Sequence, residues 1–245
     1  MAFFIKHNME IIKETKAINE LTNVEIERMF QLMKPYYIDP TSLLERDLKH
    51  NTNIYLLKDD IDNLLSFFMV GWEKHFIDDK LSSVVFLGLS CANQKFQERK
   101  FASKVYYYFT KDAFDYEQLN NEKLILYGTT ATPVVLLTLS KIWDNVKPLQ
   151  DGSYTEYDKI IIDAIKKSTG LDKYSSDHPF VLKRIAIKTK YSVNEEARLK
   201  EVEIKNNIKI FEKLNIDEAN GDRLLITCNI PNKSKLDILK SKLVD

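Results

Sequence analysis

Residues 97–102 read Gln-Glu-Arg-Lys-Phe-Ala and stand at a change of pattern. Before them, residues 84–89 are Val-Val-Phe-Leu-Gly-Leu, an apolar run with the composition of a buried strand. After them, Ala102, Val105, Tyr106, Phe109 and Ala113 recur at three- and four-residue steps, which marks one face of a helix. A strand, a loop and a helix in that order leave the first backbone N–H groups of the helix without intrahelical partners, pointing at whatever anion lies before them. Arg99 and Lys100 can add charge-assisted hydrogen bonds to the same anion. The chemistry offered is the holding of a phosphate; the plainer alternative is an amphipathic helix with a polar first turn.

Other residues offer proton transfer. Glu73 follows the apolar run of residues 64–72, with His75 two positions on, and a carboxylate or an imidazole can act as a base. His178, in Asp177-His178-Pro179-Phe180, is either a base or acceptor ligand, or a turn histidine before a rigid proline. Thr132 before Pro133 reads as a helix N-cap whose hydroxyl can also reach a ligand. Cys91 ends the apolar stretch, but no histidine with a partner acid is placed by sequence to activate it, so it reads as a small core or pocket residue. Cys91 and Cys228 give neither a metal-ligand spacing nor a disulfide framework, so no metal is expected and a reducing cytoplasm fits.

The stretch from Gln97 to Ala102, placed between a buried strand and a helix, resembles the Q/R-x-x-G-x-G/A turn of the GNAT superfamily of acyl-CoA-dependent N-acyltransferases. That resemblance implies acetyl-CoA or another acyl-CoA as co-substrate, its pyrophosphate held at Gln97, Glu98, Arg99, Lys100, Phe101 and Ala102. It further implies that backbone amides of Leu89, Ser90, Cys91 and Ala92 face the reacting carbonyl and that Thr132 lies near the cofactor arm. The base is read from position: Glu73, just beyond the 64–72 strand, with His75 as alternative and His178 as a further candidate, against a plain surface role for each. Three positions depart from the pattern. Lys100 stands where the family has its first Gly, Thr132 where it often has Asn, and Leu139, beside Ser140, where it often has the Tyr that protonates the leaving thiolate. Transfer to an amine needs the amine neutral, a donor for the oxyanion and an outlet for the thiolate.

The elements that must position these groups follow in order. An edge strand is expected over residues 9–18. Thr22-Asn23-Val24-Glu25 is a capping box that opens a helix to about Lys34, and Asp39-Pro40 opens a second over 41–48. Residues 53–58 and 64–72 read as a hairpin, 84–89 as the central strand, 123–127 as a further buried strand, and 133–143 as an apolar helix. Beyond these lie a helix at 157–167, a strand at 180–187, a capping box at Ser192 opening a helix to about Leu214, a last strand at 223–230 and a Lys-rich, solvated tail helix. The expected fold is α/β, a GNAT-like mixed, mostly antiparallel sheet flanked by helices, with extra helices inserted before the last strands. Residues 1–245 form a single elaborated domain, with its core at about 9–145 and the elaboration at about 146–245. The competing fold is another α/β domain with a CoA- or nucleotide-like ligand at a strand end. A Rossmann fold fits poorly, because none of the six glycines makes G-x-G-x-x-G after a strand, and no G-x-x-x-x-G-K-[ST] loop supports an NTPase.

Composition bounds the partners. With 44% hydrophobic residues in 245, the chain can bury a real core. Lys plus Arg and Asp plus Glu are 36 each, which leaves no field to gather nucleic acid or an anionic membrane. The first apolar run is too short for a signal peptide, and no window reaches the length of a span, so a cytoplasmic protein is expected. The expected activity is transfer of an acetyl or short acyl group to an amine of a small molecule or peptide, with a homo-oligomer left open. The alternative is a GNAT-like protein that binds a ligand or partner without transfer.

Overall fold

The computed structural model describes residues 10–94, 99–185 and 190–244. Local signals fix the first elements. After β1 (Ile11–Ala17), α1 (Asn23–Met33) starts at a complete capping box: the Thr22 hydroxyl accepts from the Glu25 amide at 3.2 Å, and the Glu25 carboxylate accepts from the Thr22 amide at 3.0 Å. The Asp39 carboxylate caps α2 (Pro40–His50), with Pro40 in the first turn, where its missing N–H is no loss. β2 (Asn53–Asp59) and β3 (Leu64–Ile77) form the expected hairpin. β3 runs past Trp72 through Glu73 and His75 because Trp72 to Ile77 pair antiparallel with the first residues of β4 (Lys80–Ala92), turning at Asp78 and Asp79, both at positive φ.

α3 (Phe101–Asn120), β5 (Ile125–Thr130) and α4 (Val134–Ile142) follow β4, and β6 (Asp144–Lys147), α5 (Glu156–Thr169), β7 (Val181–Leu182), α6 (Val193–Lys205), α7 (Ile210–Lys213), β8 (Arg223–Asn229) and α8 (Lys233–Leu243) complete the chain. The sheet order is β1-β2-β3-β4-β5-β8-β6, with β7 also on β8. β4 and β5 pair in parallel, while every other pairing is antiparallel. This is the expected mixed, mostly antiparallel sheet flanked by helices, and the C-terminal portion completes it by laying β8 against β5. Parallel pairing joins only Val84 to Leu87 with Ile125 to Gly128, and beyond that point β4 continues to Ala92 and β5 to Thr130, so the two strands part.

Apolar side chains cover both faces of the sheet. Met29 and Met33 of α1 and Leu43 and Leu44 of α2 pack with Ile54, Leu56, Phe67, Met69 and Cys91. The larger cluster joins Tyr55, Leu57, Phe68, Val70 and Leu126 to Val105, Phe109 and Ala113 of α3. Among the described residues no helix is long and apolar enough to cross a membrane.

Several expectations for the C-terminal portion are corrected. Ser192 caps α6 through the Glu195 amide, but Glu195 turns its carboxylate to Arg198 and Gln94 instead of back to the cap, so the box is only half made. The helix expected to reach Leu214 breaks after Lys205, where Asn207 takes φ of 50°. The strand expected over 180–187 narrows to Val181–Leu182, and residues 186–189 lie outside the described residues. The tail helix α8 is not simply solvated: Leu236, Leu239 and Leu243 are buried in the larger cluster, and Lys235 Nζ donates to the Trp143 carbonyl at 2.8 Å. β6 has no counterpart in the expectations.

Candidate functional site

Where β4 and β5 part, a cleft of about 600 Å³ opens, lined by Arg46 and Asp47 of α2, Glu73 and His75 of β3, Tyr127 of β5, Ser168 and Thr169 of α5 and Arg223 of β8. The continuation of β3 along β4 is what brings Glu73 and His75 here. Tyr127 Oη donates to Glu73 Oε2 at 2.9 Å, and His75 Nε2 meets the same oxygen at 2.5 Å. Burial, then the Glu73 charge, pushes the Tyr127 phenol far above the usual phenol range, which keeps it a donor. The arrangement is a carboxylate held from two sides inside a concave site, as a general base requires.

A second cleft of about 400 Å³ lies at the start of α3, lined by Ser90, Cys91 and Ala92 of β4, Lys100, Phe101 and Ala102, and Val134 and Thr138 of α4. Among the described residues no side chain caps α3, and its cap residue Lys100 is left-handed at φ 53°. This position therefore demands a positive φ, which a Lys adopts at a cost of about 1 kcal/mol. Burial, then the like charges of Arg99 and Lys100, holds the Lys104 ammonium below its ordinary value. Among the described residues none of these three cations has an acidic partner. Lys100 on the cleft wall, with the charges of Arg99 and of Lys104 in the first turn of α3 close by, suits an anion such as a pyrophosphate.

Ser90 and Tyr37 line both clefts, so the two meet beside the end of β4. There Ser90 Oγ and Tyr106 Oη are 2.5 Å apart. Tyr106 is set by an edge contact on Phe68, with centroids 4.7 Å apart, and by Trp143, whose Nε1 donates to Thr110 at 2.7 Å. Burial pushes the Tyr106 phenol up, the Ser90 hydrogen bond opposing it, so the group is protonated at neutral pH. Three consecutive tyrosines hid this residue in the sequence, because a helix points them in different directions and only one can face the strands' parting.

Other expected site residues lie elsewhere or are engaged. The Leu89 amide, expected to face a reacting carbonyl, donates to the Asp47 carboxylate at 3.1 Å. Thr132 is buried and lines neither cleft; its hydroxyl accepts from the Val134 amide at 3.3 Å, but the N-cap position of α4 falls one residue later than expected, at Pro133. Leu139 is buried at the back of the larger cleft, and Ser140 donates to the Leu136 carbonyl. His178 is not brought to Glu73: its Nε2 meets the Gly152 carbonyl at 3.0 Å, its Nδ1 accepts from the Phe180 amide at 3.3 Å, and it lines neither cleft. Its turn before Pro179 is what it holds. Burial pushes the Cys91 thiol well up, as an inert thiol requires. Gln97 and Glu98 lie outside the described residues. Among the described residues no three His, Cys, Asp or Glu side chains group as a metal site would.

No family model and no curated protein matches the chain. Among solved structures, a GNAT-family protein of Desulfovibrio desulfuricans is similar at 7% identity over 91% of this chain and 100% of that one, with a TM-score of 0.41. A GNAT family N-acetyltransferase from Escherichia coli in complex with CoA is similar at 9% identity over 49% of this chain, with a TM-score of 0.35. A conserved protein of unknown function from Enterococcus faecalis V583 is similar at 12% identity over 54% of this chain, with a TM-score of 0.39. The matches span 62% of the Escherichia coli protein and 32% of the Enterococcus faecalis protein.

Proposed function

We propose that this chain transfers an acetyl or short acyl group from acyl-CoA to an amine. The observation that carries this reading is the meeting of two unlike clefts at Ser90, one with Lys100 on its wall at the start of α3 and the other facing a held carboxylate. Arg99, Lys100, Lys104 and the first amides of α3 fit the pyrophosphate of acyl-CoA, which when bound supplies a thioester to the junction.

The chain's own groups then divide the proton work. Glu73 takes a proton from the acceptor nitrogen, directly or through water, while Tyr127 and His75 hold the carboxylate in place. Tyr106, kept protonated by burial and oriented by Ser90, gives a proton to the departing sulfur, the part that Leu139 cannot play. The domain is read as a single one whose elaboration, through Ser168, Thr169 and Arg223, closes the acceptor cleft.

A second reading, binding of an acyl-CoA or partner without transfer, is favoured by the hydrogen bond that takes the Leu89 amide to Asp47 and so removes an expected oxyanion donor. Calorimetric titration with acetyl-CoA, followed by thiol release in the presence of an amine mixture, separates the two. Binding with thiol release is expected; binding without it leaves the second reading, and no binding removes both.

A further inference from the structure

The Leu89 amide is taken by Asp47, so acyl transfer where the clefts meet needs another donor for the carbonyl oxygen that gains charge. Tyr37 stands there. It lies between α1 and α2 and, like Ser90, lines both clefts. Distant chain pins it in place: Tyr37 bridges antiparallel to Tyr191, the Ile38 amide donates to the Lys190 carbonyl at 3.0 Å, and the Ser192 amide donates to the Tyr36 carbonyl at 2.8 Å. The rings of Tyr37 and Tyr191 lie side by side, centroids 5.3 Å apart and planes 33° to one another.

The Tyr37 hydroxyl has no hydrogen-bond partner among the described residues. It is not sealed in either: the one sealed and unpaired side-chain oxygen among those residues is Asn51 Oδ1, so the phenol opens onto the clefts that it lines. Burial is the largest cause pushing this phenol well above its ordinary value, and Tyr191, Cys91 and Tyr106 act in the same direction, so it is protonated at neutral pH. A protonated donor withdrawn from bulk water and left unpaired costs free energy that an accepting ligand oxygen removes.

We propose that the Tyr37 hydroxyl donates a hydrogen bond to the carbonyl oxygen of the acyl group, in place of the Leu89 amide. The inference rests on the acyl-transfer reading for the identity of that carbonyl. As the acceptor nitrogen bonds to the carbonyl carbon, the C=O electron pair moves onto the oxygen that Tyr37 faces. When the pair returns, the C–S bond breaks and the sulfur leaves with its electrons and the Tyr106 proton, the nitrogen's own proton having passed to Glu73. Glu73 then gives a proton to solvent as Tyr106 regains one, and the site is restored.

Spectroscopy tests the contact apart from turnover. Acetyl-CoA labelled at its carbonyl carbon is bound, with no amine present, to the native chain and to Tyr37→Phe, and the isotope-edited infrared spectra are compared. The carbonyl stretch is expected at lower frequency in the native chain, because an O–H donor weakens the C=O bond, while the two affinities agree within about fivefold. Tyr37→Phe keeps the ring beside Tyr191 and loses only the hydroxyl. A ring-fluorinated tyrosine in place of Tyr37, a stronger donor of the same shape, is expected to move the stretch lower still, which a merely structural role would not do. With an amine mixture, kcat for thiol release is expected to fall by roughly 10²–10³ in Tyr37→Phe, as loss of one oxyanion donor does. A stretch unchanged in Tyr37→Phe and blind to fluorination overturns the proposal. A chain whose carbonyl shift depends on Tyr37 but which releases thiol to no amine keeps the contact and loses acyl transfer. One that releases thiol as fast in Tyr37→Phe as in the native chain keeps acyl transfer and loses the role of Tyr37, and a chain that does not bind acetyl-CoA loses both.

Discussion

The phenol of Tyr127 on β5 donates to the carboxylate of Glu73 on β3, 2.9 Å away, with β4 lying between the two strands in the sheet. The contact exists because β4 pairs with both neighbours at the same level: Phe86 faces Gly71 on one side and Tyr127 on the other. Glycine at 71 leaves room for the His50 carbonyl, from which a Cβ there would lie only 3.1 Å, while Glu73 Oε1 would be in ordinary contact at 3.7 Å.

If Glu73 takes the amine proton, Glu73→Gln lowers kcat/KM by roughly 10²–10⁴ while the affinity for acetyl-CoA stays within twofold or so, because a base acts on the reaction and not on the pyrophosphate. Tyr127→Phe, which removes only the support, is expected to cost about tenfold or less. Steady-state kinetics with a parallel titration checks both, and an unchanged rate in Glu73→Gln removes Glu73 from the chemistry.

Lys100 offers two effects of opposite sign. Its left-handed backbone favours Gly, so Lys100→Gly is expected to stabilise the fold by about 0.5–1 kcal/mol. The same change removes one of three cations, and acetyl-CoA affinity falls several-fold; Arg99→Glu with Lys100→Glu weakens it by more than roughly tenfold. Urea unfolding and calorimetry measure the two effects separately. Full affinity in the double variant, with its circular dichroism intact, ends the pyrophosphate reading.

What the sequence disclosed follows from how far apart the interacting residues lie. The box of Thr22 and Glu25 and the Asp39 cap were legible because each is complete within four residues. β6 was not: Asp-Asn-Val-Lys carries no alternation and becomes a strand only by pairing with Asn229 and Thr227, far along the chain. The end of β3 was placed too early because the apolar run stops at Trp72, and Glu73, Lys74 and His75 are strand only through pairing with Val84, Ser83 and Ser82 of β4. Of the site, Glu73 and the α3 start were named from their flanks, whereas the Asp47 hold on Leu89 and the Tyr106 contact with Ser90 join distant segments that no spacing relates.

Glu25 also ties α1 to the sheet, since Lys16 and Lys58 both reach its Oε1, at 2.6 and 3.1 Å. Burial alone raises its carboxyl, but Lys16, the Thr22 amide, Lys58 and the Thr22 hydroxyl together outweigh that and lower it to about 2. A depressed folded value means stability present above the unfolded value and lost as pH falls through the folded one, here from about pH 4.5 to about pH 2. Glu14, also lowered by Lys58, adds to the same window. Acid unfolding should therefore be steep there in the native chain and flatter in Glu25→Gln, which also loses about 3 kcal/mol at neutral pH by uncoupling the two lysines. Superimposable acid transitions for the two chains would refute this.

Gly88, at the bulge of β4 against β3, lies under the Asn51 side chain, and an added Cβ would sit 2.3 Å from its Oδ1. Asn51 cannot simply swing away, because its Nδ2 donates to the Asp47 carbonyl at 2.7 Å. Gly88→Ala is expected to cost about 1–3 kcal/mol, and Asn51→Ala in the same chain to recover part of the loss, a coupling that a double-mutant cycle measures. Additive losses would mean that the two residues do not collide.

The acid is tested last. A thiol ionises near about pH 8.5, so below that value a departing sulfur benefits from a donor and above it leaves readily as the thiolate. Tyr106, raised above the ordinary phenol value by burial, remains a donor across this range. The native chain should accordingly show kcat/KM rising from about pH 6 as the amine loses its proton and then holding level through about pH 9, with no descending limb in that interval. Tyr106→Phe keeps the ring on Phe68 and Trp143 but loses the hydroxyl paired with Ser90, so packing is preserved while the proton source is removed. Its rate should fall tenfold or more near about pH 7 and approach the native rate above about pH 9, where thiolate departs unaided. A purely structural role would lower the rate by the same factor at every pH, so parallel profiles for the two chains would take Tyr106 out of the proton path.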